Sequence, residues 1–155
     1  QCYLDLVTAG TASLMFEAAP PGEPSAFRFT AVPLSQVAFE EDTSGRLDTT
    51  FRISRLSRSQ IVERFPKAKL PDALKERKRG EGEQPSADVL EALLPVNGGF
   101  DYIAMLDPGD GNAGDHTLTV LKTGRFETSP FINFRWLKAP GEIYGRSSIE
   151  RLEVK

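Results

Sequence analysis

Alternating apolar and polar residues mark the first part of the chain as rich in β-strands. Residues 27–31 alternate strictly, starting with Phe27, and residues 47–53 alternate again. Residues 11–18 and 37–40 have strand-like composition, and residues 42–45 are ordinary turn residues. The pattern predicts four strands, the last two joined as a hairpin. The residues that share one face of the last strand are Leu47, Thr49, Phe51 and Ile53.

Local signals at helix ends predict short helices between these strands. Residues 1–9 resemble the end of a helix that stops at Gly10. Ser57 and Gln60 have the spacing of a capping box, so a helix is expected to follow Ser57 and to end at Pro66. Ser86 is predicted to cap another short helix before Pro95. The apolar residues assigned to that helix are Val89, Leu90, Leu93 and Leu94.

The last third of the chain returns to a strand pattern. Strands are predicted at residues 100–106, 117–123 and 131–137. The second places Leu118 and Val120 on one face, and the third places Ile132, Phe134 and Trp136 on one face. A helix is expected to begin near Ser147. The fold class is therefore α+β, with antiparallel hairpins and a few short helices.

We expect a single region over residues 1–155, in three parts. A first β-rich and helical part spans residues 1–65, and a second β-rich part that ends in a helix start spans residues 88–155. Residues 66–87 between them form a basic and Gly/Glu-rich loop or linker. Its cations could contact DNA phosphates or a partner, but no aromatic residues are interleaved for base stacking, and a solvated surface is favoured. The candidate contact residues are Lys75, Arg77, Lys78 and Arg79.

Composition and charge exclude several classes of protein. The chain has 155 residues, of which 39% are hydrophobic and 26% charged, and it contains no apolar run long enough to span a membrane. Its net charge of -3 argues against tight binding of DNA phosphates. The single cysteine, Cys2, excludes an internal disulfide and is interpreted as a small buried apolar residue.

Catalytic and metal chemistry have little support in the sequence. The only histidine is His116, and no nucleophile motif or nucleotide-binding glycine pattern accompanies it. The loop at residues 107–115 is rich in Asp and Asn but lacks the spacing of a calcium loop, so an ordinary hairpin loop is favoured. We therefore expect no enzyme activity, no cofactor and no metal.

The segment from Pro130 to Ser147 carries the most specific pattern. An Arg-Trp pair ends a strand, and glycines on either side of Tyr144 indicate a tight bend before a capped helix. Its residues are expected to act in architecture or at an interface, with Trp136 packed as a buried ring. The candidates are Arg135, Trp136, Gly141, Tyr144, Gly145 and Arg146.

These residues resemble the head-to-tail connecting proteins, or portals, of short-tailed bacteriophages. The resemblance is carried by Pro130-Phe131, Arg135-Trp136, Pro140-Gly141-Glu142 and Tyr144-Gly145-Arg146-Ser147. Upstream segments agree in order: Gly10-Thr11 with Leu14, Val32-Pro33-Leu34-Ser35, the hairpin with Asp42, Gly45, Asp48 and Phe51-Arg52, and the helix with Ser57, Gln60 and Phe65. The similarity covers most of residues 10–65 and 93–150, whereas residues 67–87 match no pattern of the family.

The resemblance implies a structural subunit of a ring, typically of twelve copies, at the portal vertex of the capsid. Genomic DNA passes through such a ring without sequence specificity during packaging and ejection, and the terminase large subunit and the tail adaptors dock on it. The protein would assemble in the host cytoplasm and then belong to the virion, without contact to a membrane.

The resemblance also implies a place within the subunit. The chain starts with Gln1, and the family's chains are longer, so we expect an internal fragment. It would be the β-rich wing and clip region, with the start of a channel helix near Ser147. Two alternatives stay open: a β-rich virion adaptor or interaction module without a DNA channel, and, with little support, a hydrolase that uses His116.

Overall fold

The described residues form two antiparallel sheets and two short α-helices, which confirms the predicted α+β class. The structure is a computed structural model and describes residues 1–19, 21–71, 74, 85–106, 119–147 and 149. The small sheet has the strand order β2-β1-β8, and the large sheet has the order β3-β4-β5-β6-β7. The elements are α1 (Cys2–Ala9), β1 (Thr11–Ala18), β2 (Phe27–Val32), β3 (Val37–Glu41), β4 (Leu47–Ser57), α2 (Arg58–Arg64), β5 (Ser86–Val96), β6 (Gly99–Leu106), β7 (Thr119–Phe126) and β8 (Phe131–Arg135).

Both helix-end signals in the first part of the chain are confirmed. Gly10 ends α1 in the left-handed conformation, with φ of 66°, and its N–H donates to the carbonyl of Leu6. Ser57 caps α2: its hydroxyl accepts from the Gln60 N–H, and the Gln60 side chain accepts from the Ser57 N–H at 2.8 Å. These contacts lie within a few residues of sequence, so local chemistry is sufficient to specify them.

The helix predicted after Ser86 is wrong, because residues 86–96 form strand β5 at the centre of the large sheet. Val89 and Leu93 are both fully buried, and a spacing of four residues places two side chains on one face of either a helix or a strand. Glu91 and Ala92 are also buried although they lie on opposite faces of β5, so both faces of this central strand are covered. The ambiguous spacing and the helix-favouring Leu, Ala and Glu residues led to the wrong assignment.

Pro95 fits this strand because it lies where β5 has only one neighbour. The pairing between β4 and β5 ends at Leu93, opposite Thr50, whereas β5 and β6 stay paired through Pro95 and Phe100 to the turn. Proline donates no hydrogen bond, so it is tolerated at such an edge and would disrupt a strand paired on both sides.

The faces that point inward differ from the apolar faces of the sequence pattern in β2, β4, β7 and β8. In β2, Phe27 and Phe29 are exposed, while Val32 is buried. In β4, Thr50, Arg52 and Ser54 are buried, while Ile53 is 51% exposed. In β7, which starts at Thr119 and runs to Phe126, Leu121 is buried and Val120 is exposed. Leu118 lies outside the described residues.

Strand β8 is shorter than predicted and ends at Arg135, before Trp136. Phe131 is its buried residue, whereas Ile132 is 44% exposed. The predicted face of Ile132, Phe134 and Trp136 is thus the outer face, because a shift of one residue exchanges the two faces of a strand.

The main core lies between the two sheets. Met15 and Phe131 contribute from the small sheet, and Val89, Leu93 and Tyr102 contribute from the large sheet. Because β1 pairs with β8 and β4 pairs with β5, strands from both ends of the sequence complete each sheet. Among the described helices, none has the length and apolar character needed to cross a membrane.

Candidate functional site

The segment that follows β8, residues 136–147, folds back onto the junction between α1 and β1. We call it the closing segment. The Trp136 N–H donates to the Gly10 carbonyl at 2.8 Å, and the Gly145 N–H donates to the Thr11 hydroxyl at 2.7 Å. The Ser147 hydroxyl donates to the Val7 carbonyl at 2.8 Å. The end of the closing segment is therefore attached to the helix–strand junction by backbone and hydroxyl groups.

Two glycines make this close approach feasible. A Cβ atom at Gly145 would lie 2.1 Å from the Gly10 carbonyl oxygen, and a Cβ atom at Gly10 would lie 2.3 Å from the Arg146 carbonyl carbon. Carbon atoms pack best at about 3.5–4.0 Å, so neither position has room for a larger residue. Gly10 also has the positive φ of its helix-ending role, whereas Gly145 is required by space alone.

Arg135 connects the closing segment to the large sheet. Its guanidinium donates to the Glu41 carboxylate at 2.8 Å, to the Ile143 carbonyl at 2.8 Å and to the carbonyl of Gly45. Lys138 contacts the other oxygen of Glu41. Hydrogen bonds from Lys138 and Arg135 lower the pKa of Glu41, so this carboxylate stays charged at neutral pH and attaches both cations to the β3–β4 hairpin.

The remaining candidate residues of the closing segment shape its surface. The Tyr144 ring centroid lies 5.8 Å from that of Phe39, and Tyr144 is 40% exposed. Arg146 pairs with Glu142 at 2.7 Å, and this pairing lowers the pKa of Glu142. Gly141 has φ of 81°, a conformation in which a side chain would be strained.

Trp136 does not fill the core, contrary to the sequence-based expectation. The residue is 61% exposed, although its backbone N–H is held by Gly10. The predicted strand runs two residues past Arg135, the last residue of β8, and so includes Trp136. An exposed tryptophan next to a fixed backbone is typical of a contact surface.

Sequence analysis missed a buried charge cluster between the sheets, around Glu91. Glu91 is 2% exposed and accepts from the Tyr102 hydroxyl at 2.6 Å and from Arg64 at 2.9 Å. Its second oxygen lies 3.5 Å from Arg52 and makes no hydrogen bond within the described part of the chain. Arg52 and Glu91 are directly paired across β4 and β5, so the cluster could be recognised only after β5 was known to be a strand.

The cluster shifts the ionisation of its members in the direction that burial dictates. Burial and the adjacent Glu91 carboxylate raise the pKa of Tyr102 well above its ordinary value, so the phenol remains a hydrogen-bond donor. Burial lowers the pKa of Arg52, an effect that the charge of Glu91 opposes. The cluster therefore links β4, β5, β6 and α2 through buried hydrogen bonds and ion pairs.

Other sequence-predicted candidates lie outside the described residues. These are Lys75, Arg77, Lys78 and Arg79 of the basic stretch, the loop at 107–115, His116, and most of the helix predicted after Ser147. Cys2 is half-buried, and burial raises the pKa of its thiol. Within the described ranges, no group of three or more His, Cys, Asp or Glu side chains is arranged to hold a metal ion.

Comparison with known proteins agrees with the pattern of the closing segment. Residues 1–153 match the model of one protein family, described as bacteriophage head to tail connecting protein. A search of curated proteins finds no match to the chain. The matched range contains every residue that the structure describes, from α1 to the closing segment.

Proposed function

Because the chain belongs to the family of bacteriophage head to tail connecting proteins, we propose that it forms part of the ring through which the phage genome is packaged and ejected. Membership makes it a structural component of the head–tail junction and places it in the virion. The match over residues 1–153 is the observation that carries the proposal. The ring would contain about twelve copies, expected from the resemblance to portals.

The more specific parts of the proposal concern the binding partners of the ring and its location in the virion. The ring sits at the portal vertex, binds the terminase large subunit during packaging and tail adaptors afterwards, and is assembled in the host cytoplasm. The closing segment supports a docking role, because Trp136 and Tyr144 are exposed on a backbone held by several hydrogen bonds. Arg135, Gly141, Gly145 and Arg146 act in this proposal as architectural residues that fix the segment.

Residues 1–155 form one region of the subunit in this proposal, the wing and clip part. The pairing of β1 with β8 and of β4 with β5 supports a single region, since each sheet needs strands from both parts of the chain. The Ser147 hydroxyl accepts from the Ile149 N–H at 2.9 Å, a local contact that favours the start of a helix. That helix would be the beginning of a channel helix.

Double-stranded DNA would pass this region with little attraction. The sequence has 22 acidic and 19 basic residues, whereas a surface that neutralises many phosphates would hold the polyanion in place. We expect no binding of a fluorescent 30-base-pair duplex at micromolar protein in physiological salt. Submicromolar affinity would contradict this part of the proposal, and the quadruple variant K75A/R77A/K78A/R79A would then test whether the basic stretch is responsible.

The ring is tested on the intact gene product by native mass spectrometry and electron microscopy. The expected result is a closed particle of about twelve subunits with a central channel wide enough for duplex DNA. A channel-free particle or a monomer that binds only other virion proteins would overturn the proposal. Such a result would favour the alternative, a β-rich adaptor.

A further inference from the structure

The outer face of the small sheet is apolar and partly exposed. Met15 on β1 points into the core, so its neighbours Leu14 and Phe16 point outward. The register places Phe29 opposite Phe16 and Ile132 opposite Leu14, on the same outer face. We call this surface the aromatic face. Its residues are Leu14, Phe16, Phe27, Phe29, Ile132 and Phe134.

Three residues of the aromatic face are strongly exposed. Phe27 is 56% exposed, Phe29 is 62% exposed and Ile132 is 44% exposed. The Phe16 ring joins the first two, with centroids 5.0 Å from Phe27 and 5.1 Å from Phe29. Contiguous apolar patches of this kind mark interaction sites.

Both edges of the same sheet leave backbone groups unpaired. Between β1 and β8, the Phe16 N–H donates to the Pro130 carbonyl and the Trp136 N–H donates to the Gly10 carbonyl. Backbone groups alternate in direction along a strand, so the even-numbered residues of β8 bond to β1 and the odd-numbered ones point away. The N–H and C=O groups of Asn133 and Arg135 therefore face outward.

The backbone groups of β2, at the opposite edge of the sheet, alternate in direction in the same way. The Ala19 N–H donates to the Ala26 carbonyl at 3.0 Å, so even-numbered residues of β2 bond to β1. The backbone groups of Phe29 and Ala31 face outward, and no described residue bonds to them. The first outward-facing residue of each edge strand forms backbone hydrogen bonds to a nearby serine hydroxyl. The Ser25 hydroxyl bonds to the backbone of Phe27, and the Ser129 hydroxyl bonds to the backbone of Phe131.

We propose that β2 of one copy pairs with β8 of the neighbouring copy, and that this contact joins subunits of the ring. The inference rests on the proposed function. In the order β2-β1-β8, both edge strands are antiparallel to β1 and hence parallel to each other. Copies related by rotation about a ring axis would therefore meet as a parallel β8–β2 pair, with the aromatic face continuing from copy to copy. On the receiving side, the edge of β8 borders a groove of about 800 Å³ that Leu47, Val96 and Phe100 also line.

Area and symmetry favour a ring over a dimer. A phenylalanine side chain buries of order 200 Å² when fully covered, so Phe27 and Phe29 together offer roughly that area. These two rings supply only a small part of the roughly 1,200 Å² that a stable pairwise interface buries, so a single contact of this kind favours an assembly in which each copy makes two. A two-fold β2–β2 contact would also leave both β8 edges open, whereas a head-to-tail contact uses both edges of every copy and closes into a ring.

Disulfide trapping tests this arrangement in the intact gene product. Cys2 is first changed to Ser, and Phe29→Cys is combined with Ile132→Cys or, because the register is not fixed, with Phe134→Cys. Oxidation of at least one double variant should give a ladder of covalent multimers. The single variant F29C should give none, and the combination of F29C with I53C should also give none, because Ile53 is 51% exposed but lies within the large sheet.

A second variant tests the backbone contact without cysteines. Ala31→Pro removes an N–H that points away from β1, and proline is tolerated at such an edge position. The variant should keep the melting temperature of the monomer and lose the ring population at least tenfold. Cross-linking of F29C alone would show two-fold pairing and overturn the inference. Rings that persist in A31P or never cross-link would also overturn it, while leaving the proposed function intact. The absence of any ring in the unmodified protein would instead contradict the proposed function.

Discussion

The contact between Gly10 and Gly145 gives a sharp prediction for Gly145→Ala. The new methyl carbon would lie 2.1 Å from the Gly10 carbonyl oxygen and 3.1 Å from the Arg135 Cβ atom. Two backbone segments must separate by roughly 1 Å or more to relieve this overlap. Neither contact is the end of a flexible side chain, so the backbone itself has to move.

The magnitude follows from what that movement disrupts. Overpacking costs about 1–3 kcal/mol. Separation also weakens the bonds from Gly145 N–H to Thr11 and from Trp136 N–H to Gly10, at about 0.5–1.5 kcal/mol each. We expect a loss of about 2–6 kcal/mol in the free energy of unfolding. For a chain of this size the melting temperature should fall by about 5–15 °C.

The assay is urea unfolding at protein concentrations where the chain is monomeric, with hydrogen exchange at the amides of Trp136 and Gly145. Gly124→Ala is the matched control, because a Cβ atom at Gly124 meets nothing within 4 Å and its φ is not positive. The control should be neutral or slightly more stable. If G145A unfolds at the same urea concentration as G124A and retains its amide protection, the closing segment does not dock as described.

Three further predictions concern the packing and charges. Trp136→Ala should change the free energy of unfolding by less than about 1 kcal/mol because its ring is exposed, whereas Phe131→Ala should cost about 3–5 kcal/mol because Phe131 is buried. Equal losses in urea unfolding would show that the Trp136 ring is buried. Glu91→Ala should cost about 3–5 kcal/mol because Arg52 is left buried without its partner, and a neutral effect in the same assay would contradict the buried pairing. The folded-state pKa of Glu41 is lowered, so its stabilisation is complete above the unfolded value of about 4.3 and is lost as pH falls through the lower folded value. The melting temperature of Glu41→Gln should therefore depend less on pH below about 4.3 than that of the unmodified protein; parallel curves would refute the role of this carboxylate.

The assignment of β5 shows where sequence reasoning met its limit. Val89 and Leu93 satisfy both the helical and the strand spacing, and only pairing with β4 and β6 selects the strand. The same pairing brings Arg52 opposite Glu91. The polar face of β4, with Thr50, Arg52 and Ser54, is therefore the buried one. The sequence pattern alone favoured the opposite, more apolar face that contains Ile53.

The sequence indicated the bend of the closing segment but not the contacts that the segment makes. The glycines around Tyr144 correctly indicated a bend, because few other residues permit one. The role of Gly145 in close packing against Gly10 could not be predicted, because the two glycines are far apart in the sequence. The burial of Trp136 was predicted wrongly because a period-two pattern does not reveal where a strand ends.

The sequence by itself determined the local features: the end of α1 at Gly10, the capping box at Ser57, the hairpins, and the pattern of the closing segment that identifies the family. These depend on residues close in sequence, whose hydrogen bonds and backbone preferences act without the rest of the fold. Only the tertiary structure decided the strand state of β5, the inward faces of β4 and β8, and the Gly10–Gly145 contact. Each of these depends on which distant segment lies alongside, and burial by that neighbour outweighs the local preference of the chain.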